Sequence, residues 1–282
     1  MIWENSGGIF SMKYKLIAMD LDGTLTNSQK EITDETRDVL IRLEELGVKL
    51  VLASGRPTPG LYKEAKTLRM DEFGGYILSF NGAAVHEYPS MRCIYSNTID
   101  PHYILPIINN AKALNLGILT YQGDNIIVDD PDTYKAKYEQ KITCMGMKVV
   151  DDLREYVDFA PNKFLVSGPE EYLKSVYQDF KMPFGDRLSI YTSAPFYIEV
   201  VSNGINKSIG LEHVVKDCGI SKEEIVAFGD EMNDLIMLQY AGYGVAMGNA
   251  VKPVKLIAKE VTASNDEDGI AKTLKKLFKE VL

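Results

Sequence analysis

The chain has 282 residues, which at ~150 residues per domain suggests about two domains. Its 31 Lys and Arg against 40 Asp and Glu leave a formal charge of −9, which argues against a nucleic-acid or anionic-membrane partner held by basic side chains. A phosphorylated small molecule needs only a few local cations and stays open. Three scattered cysteines (Cys93, Cys144, Cys218) and three scattered histidines (His86, His102, His213) offer neither a disulfide framework nor a close metal pair. No apolar run reaches the ~20 residues of a membrane span, and residues 1–11 lack the basic start and apolar core of a secretory signal. The expectation is a cytoplasmic protein with a disordered leader over 1–11 and no obligatory protein partner evident.

From Tyr14 to Met19 an apolar run predicts a buried strand, broken by Asp20-Leu21-Asp22-Gly23-Thr24. Thr33 reads as a helix cap with Asp34 and Glu35 in the first turn. Val39, Leu40, Leu43 and Leu46 give the helical stripe, and Gly47 the stop. Strands Val48–Ala53 and Tyr76–Phe80 follow, ending at Ser54-Gly55-Arg56 and Asn81-Gly82, so a parallel βαβ arrangement is expected. The same grammar returns late in the chain. A helical stripe (Leu211, Val214, Val215, Cys218) precedes strand Ile225–Phe228, which ends at Gly229-Asp230. A short helix, strands Gly244–Met247 and Val261–Thr262, and a terminal helix from about Gly269 complete it. Between these halves lies a tyrosine-rich α+β stretch. The expected organisation is a core of 12–84 and 202–282 with an inserted cap over 85–201. The fold class is α/β, a Rossmann-like parallel sheet with an α+β insert.

Ligands of open parallel sheets gather at the carboxyl ends of strands. Those ends carry Asp20, Asp22, Ser54, Asn81, Asp230, Asn233 and Asp234, and Lys207 follows at a helix start. Four neighbouring carboxylates repel unless a cation is present. Oxygen donors without His or Cys suit Mg²⁺ before Ca²⁺, and Mg²⁺ typically shares its shell with substrate phosphate. Metal-assisted phosphoryl transfer is the chemistry this set suggests. Gly242-Tyr243-Gly244-Val245-Ala246-Met247-Gly248 precedes a strand rather than joining one to a helix, so it is no dinucleotide fingerprint.

Asp20-Leu21-Asp22-Gly23-Thr24 resembles the first motif, DxDGT, of the haloacid dehalogenase superfamily. Ser54 before Gly55-Arg56 resembles the second motif, Lys207 the third and Gly229-Asp230-Glu231-Met232-Asn233-Asp234 the fourth, GDxxND. Asn81-Gly82-Ala83, the stretch Gly244 to Ala250 and the stretch Ser264 to Gly269 are similar to marks of Cof-type phosphatases, which carry a large cap between the second and third motifs. The resemblance implies a Mg²⁺-dependent phosphatase of small phosphorylated metabolites, either sugar phosphates or phosphorylated cofactors. It makes Asp20 the nucleophile, Asp22 the general acid and base, and Lys207 the charge offset. Phosphate would be held by Leu21, Ser54, Gly55, Lys207 and Asn233. The metal would be held by Asp20, Asp22 (through its carbonyl) and Asp230, with Asp234 direct or one layer out. Arg56 is a lesser candidate for phosphate or substrate contact. The cap is expected to overhang the rim and rank substrates. Rival readings are a phosphomutase of the same superfamily and a non-enzymatic phospho-accepting sensor. The sensor's receiver fold is shorter, has no cap and carries its phosphoacceptor on a later strand.

Overall fold

A computed structural model describes residues 12–282; the expected leader, 1–11, lies outside the described residues. In chain order the strands are β1 (Leu16–Asp20), β2 (Lys49–Ala53), β3 (Gly75–Ser79), β4 (Ala84–Tyr88), β5 (Cys93–Ser96), β6 (Gly117–Gln122) and β7 (Asn125–Val128). They continue as β8 (Gly146–Val149), β9 (Lys163–Ser167), β10 (Leu188–Ala194), β11 (Tyr197–Ser202), β12 (Ile225–Gly229), β13 (Tyr243–Ala246) and β14 (Glu260–Val261). One sheet has the order β14-β13-β12-β1-β2-β3-β4-β5, the other β10-β11-β9-β6-β7-β8.

The chain divides into two units: 12–55, 61–95 and 206–282 form the first, 56–60 and 96–205 the second. In the first, β1, β3 and β12 are buried at every residue and β2 at all but its first. Strands covered on both faces read as unbroken apolar runs, which is why the sequence declares them. From β14 through β3 the pairing is parallel, and β4 returns antiparallel to β3. The helix Asp34–Glu45 begins as expected, with Thr33 Oγ1 accepting from the Thr36 amide, and buries Val39, Leu40 and Leu43. Among the described residues, no helix is long and apolar enough to cross a membrane.

The boundary expected at residue 85 falls inside β4, where Leu78 pairs with Val85. The second unit instead begins at Ser96, ends at Ile205, and takes in 56–60. The reason is a mixed-polarity hairpin: β4 and β5 carry His86, Glu87 and Tyr95 among their apolar residues, yet hydrogen-bond onto the core sheet.

The second unit's sheet has two unlike faces. One packs Phe164, Val166, Ile198 and Val200 into an apolar core with the helix Pro101–Ala113 and with Leu173 and Phe180 of the helix Glu170–Lys181. Side chains alternate along a strand, so Lys163 and Glu199 lie on the opposite face. There Lys163 Nζ donates to Glu199 Oε1 at 3.2 Å, Tyr191 Oη to Glu199 Oε2 at 3.0 Å, and Tyr121 Oη to Glu139 Oε1 at 2.8 Å.

Candidate active site

In the first unit the strand order reverses at β1, which lies between β2 and β12. That reversal opens a crevice at the strands' carboxyl ends. Asp20 closes β1, and its Oδ1 accepts a hydrogen bond from Lys207 Nζ. The same ammonium donates to Asp234 Oδ1 at 2.6 Å. Lys207 opens the helix Lys207–Cys218, capped by Asn206, whose side chain accepts from the Ser208 and Ile209 amides. A cation at this end opposes the helix dipole, and at 0% exposure it also lacks hydration. Burial lowers the Lys207 pKa, but Asp20 and Asp234 outweigh it and the net displacement is upward.

Asp234 Oδ2 accepts from the amides of Asp230 at 2.9 Å and Glu231 at 3.0 Å. Both its oxygens are engaged, so Asp234 ties Lys207 to the loop after β12. Gly229 allows the close approach: a Cβ there would stand 2.4 Å from the Asp234 Cβ. Asp230 Oδ1 accepts from Thr24 Oγ1 at 2.7 Å. Asn249 Nδ2 donates to the Gly23 carbonyl at 2.8 Å and reaches Asp230 Oδ2 at 3.5 Å. Gly23 has φ +90°, and a Cβ on it would lie 2.4 Å from Asp230 Oδ2, so backbone and neighbour both require glycine.

Oxygens of Asp20, Asp230 and Asp234 lie within 4.8 Å of one another, and all three residues are buried. Burial, reinforced by Asp234, pushes the Asp20 carboxyl up to about 8 despite Lys207. Burial pushes Asp230 up to about 6. One ammonium does not neutralise three buried carboxylates. The donor set fits a hard divalent cation. Among the described residues, Asp234 accepts three hydrogen bonds, against one on Asp20 and one close bond on Asp230, which leaves Asp20 and Asp230 the less committed oxygens.

Asp22 is partly exposed, with Lys30 Nζ 2.9 Å from its Oδ1. Ser54 is buried after β2; its amide donates to Leu78 O, and its carbonyl accepts from the Asn81 amide. Asn81 Oδ1 accepts from Asn233 Nδ2 at 3.0 Å, and the Asn81 side chain would lie 3.1 Å from a Cβ on Gly55. Leu21 is wholly buried. The site residues thus form two groups: Asp20, Lys207, Asp230 and Asp234 in one network, Ser54, Gly55, Asn81 and Asn233 in another. Arg56, at the edge of the second motif, belongs to the second unit and donates to Gly60 O at 3.3 Å. Reading the sequence missed Thr24, Asn249 and Lys30 as partners of the acids. Thr24 and Asn249 carried a signal, since each follows a strand end.

A family model described as haloacid dehalogenase-like hydrolase matches residues 17–274. A 5-amino-6-(5-phospho-D-ribitylamino)uracil phosphatase of Bacillus subtilis is 33% identical, the match covering 93% of this chain and 97% of that protein. A crystal structure of a haloacid dehalogenase-like hydrolase from Bacteroides thetaiotaomicron is 39% identical, with TM-score 0.89 over 94% of this chain and 100% of that one. A subclass IIB sugar phosphatase of known structure is 26% identical, with TM-score 0.75 over 95% of this chain and 100% of that one.

Proposed function

From the premise that the chain belongs to the haloacid dehalogenase-like hydrolases and is a phosphatase of small phosphorylated substrates, we propose that it works through an aspartyl-phosphate on Asp20 with Mg²⁺ bound beside it. The observation that carries this reading is the buried Lys207, shared between Asp20 and Asp234, whose oxygens lie within 4.8 Å of an oxygen of Asp230. Asp20 and Asp230 would hold the cation, with the Asp22 carbonyl. Mg²⁺ supplies charge neutralisation that lets carboxylates and a phosphate dianion meet.

The Asp20 carboxylate attacks phosphorus, forming an O–P bond as the bond to the leaving oxygen breaks. Asp22 gives that oxygen its proton. Water then attacks the same phosphorus, Asp22 takes the water's proton, and inorganic phosphate leaves Asp20 as a free carboxylate. Lys207 offsets the charge of Asp20 and the phosphoryl oxygens throughout. Ser54, Asn233 and the amides of Leu21 and Gly55 hold those oxygens.

The substrates we favour are phosphate esters of sugars and polyols. Support comes from two relatives with such leaving groups, the ribityl compound's phosphatase and the sugar phosphatase. Selection among esters we assign to the second unit, whose polar sheet face carries Lys163, Glu199, Tyr121 and Tyr191. The test is phosphate release from a panel of such esters with Mg²⁺, repeated after exhaustive chelation and with Asp20→Asn. Turnover should vanish in both repeats while the circular dichroism spectrum stays that of the parent. Full turnover in the chelated protein would overturn the metal assignment, and near-normal turnover by Asp20→Asn the nucleophile.

A further inference from the structure

We infer that Lys30 is a positioning residue for Asp22, an inference that rests on the acid–base role proposed for Asp22. Lys30 Nζ lies 2.9 Å from Asp22 Oδ1, with the lysine side chain 62% and the aspartate side chain 37% exposed. An ion pair this open adds little to stability. The loop that carries it is nevertheless tightly held. Lys30 itself sits in the left-handed region at φ 62°, uncommon for a residue with a Cβ. Asn27 fixes that turn: its carbonyl accepts from the Lys30 amide, its amide donates to Glu31 O, and its Oδ1 accepts from the Gln29 and Glu31 amides.

The loop is also tied to a distant stretch of chain. Asp266 accepts from the Ser28 amide at 2.7 Å and from Ser28 Oγ at 2.5 Å. Asn265 Nδ2 donates to the Thr26 carbonyl at 2.9 Å, and Thr33 Oγ1 donates to Asp268 Oδ1 at 2.5 Å. These bonds join 26–33 to 265–268 across more than 230 positions of sequence, as the separations of 238, 239 and 235 show. A rigid loop therefore presents one ammonium to one carboxyl.

The chemistry gives that arrangement a purpose. Asp20, Asp230 and Asp234 are buried, whereas Asp22 is partly exposed and has Lys30 among its partners. A solvated carboxyl samples several staggered rotamers. A proton donor must lie within hydrogen-bond reach of the leaving oxygen, and misplacement by about 1 Å costs on the order of 100-fold. Lys30 narrows the rotamers of Asp22, so the same carboxyl is in place for both proton transfers.

The experiment compares full-length wild type, Lys30→Met, Lys30→Arg, Asp22→Asn and the Lys30→Met/Asp22→Asn double variant, with Mg²⁺. The probes are p-nitrophenyl phosphate and glucose 6-phosphate. Lys30→Met should lower kcat by about 2- to 5-fold, the population shift open to a pair this exposed, with KM unchanged, at unchanged Tm. Lys30→Arg should recover most of the loss. In the Asp22→Asn background, Lys30→Met should change nothing further, because the group it positions is gone. A Lys30→Met enzyme as fast as wild type, a loss carried in KM alone, or losses that multiply in the double variant would each overturn the inference. A wild-type chain that releases no phosphate from either probe would instead overturn the reading of the site itself.

Discussion

The two units each bury a lysine against acids, and the two lysines are not equivalent. Lys207 is 0% exposed at a helix start and meets two carboxylates from different elements, Asp20 and Asp234. Lys163 is 3% exposed in the middle of a sheet and meets Glu199 on the neighbouring strand, with the Tyr121 ring 5.4 Å from its Nζ. The first arrangement sets one ammonium among three buried carboxylates and calls for a further cation; in the second, Lys163 faces Glu199 and Glu139, and Arg56 adds a further positive charge. An excess of like charge is poor for stability and useful for chemistry, while a balanced buried pair fixes a geometry. The reaction proposed above is assigned to the first unit on that excess of charge.

Replacing Lys207 should break this contrast most severely. Lys207→Met removes the cation shared by Asp20 and Asp234, and phosphate release should fall by at least about 10²–10³-fold on every ester. Lys207→Arg should not rescue it, because a planar fork does not fit a cavity shaped for a point charge. A uniform loss across the ester panel is the result that matters. A loss confined to some esters would move Lys207 out of the phosphoryl site.

In the second unit, Lys163→Met leaves Glu199 buried without its cation, at a cost of about 3–5 kcal/mol in unfolding free energy. Lys163→Met/Glu199→Gln should recover much of it, since replacing both partners avoids an orphan charge. Denaturant titration reads the stability, and the ester panel reads the rest. Among esters still cleaved, the order of preference should change. An unchanged order would detach this face from substrate selection.

The smallest effect belongs to an acid with no cation in hydrogen-bond reach. Glu44, in the helix Asp34–Glu45, is buried, and among the described residues neither of its carboxyl oxygens has a hydrogen-bond partner. Burial raises its pKa from 4.5 to about 8, against the pull of Lys49 and Arg69. Between about 4.5 and about 8, the folded chain retains a proton that the unfolded chain has released. Stability conferred by the neutral form is therefore lost as pH rises through this window. Glu44→Gln should raise Tm at pH 8, by the equivalent of about 1–3 kcal/mol, and leave it nearly unchanged at pH 4. An equal gain at both values would show that ionisation is not the cause.

The clustering of acids at the strand ends was legible in the sequence because they follow strands buried on both faces. Ile17-Ala18-Met19 must be buried on both faces, so a polar Asp20 directly after it marks a strand end. Lys207 was legible for the opposite reason, as a cation where a helix start disfavours one. Lys163 and Glu199 gave no such sign. Each occupies an alternating position of a strand, where a charged residue ordinarily faces water, and only the register that pairs Glu199 with Leu165 brings the two together. The hairpin β4–β5 and the strand β8 escaped notice for a related reason: β5 and β8 have no fully buried residue, and β4 only its first two. The domain boundary was misplaced by the same hairpin. Lys30 was invisible because a surface loop becomes rigid only through partners some 240 residues away.

The strand order also has a consequence in time. β1 pairs on one side with β2, made shortly after it, and on the other with β12, where Leu16 stands opposite Ile225. At about 5–20 residues per second of synthesis, that second neighbour arrives roughly 10–40 s later. Until then the nascent chain carries the strand bearing Asp20 with one edge open, and an open edge invites pairing with the wrong partner. The last residue of the second unit, Ile205, precedes that moment by 20 positions, about 1–4 s of synthesis. Ribosome-tethered chains in which Ile205 has emerged but Ile225 is still enclosed should therefore hold a protease-resistant second unit beside an unfinished sheet, and gain the rest only once β12 has emerged.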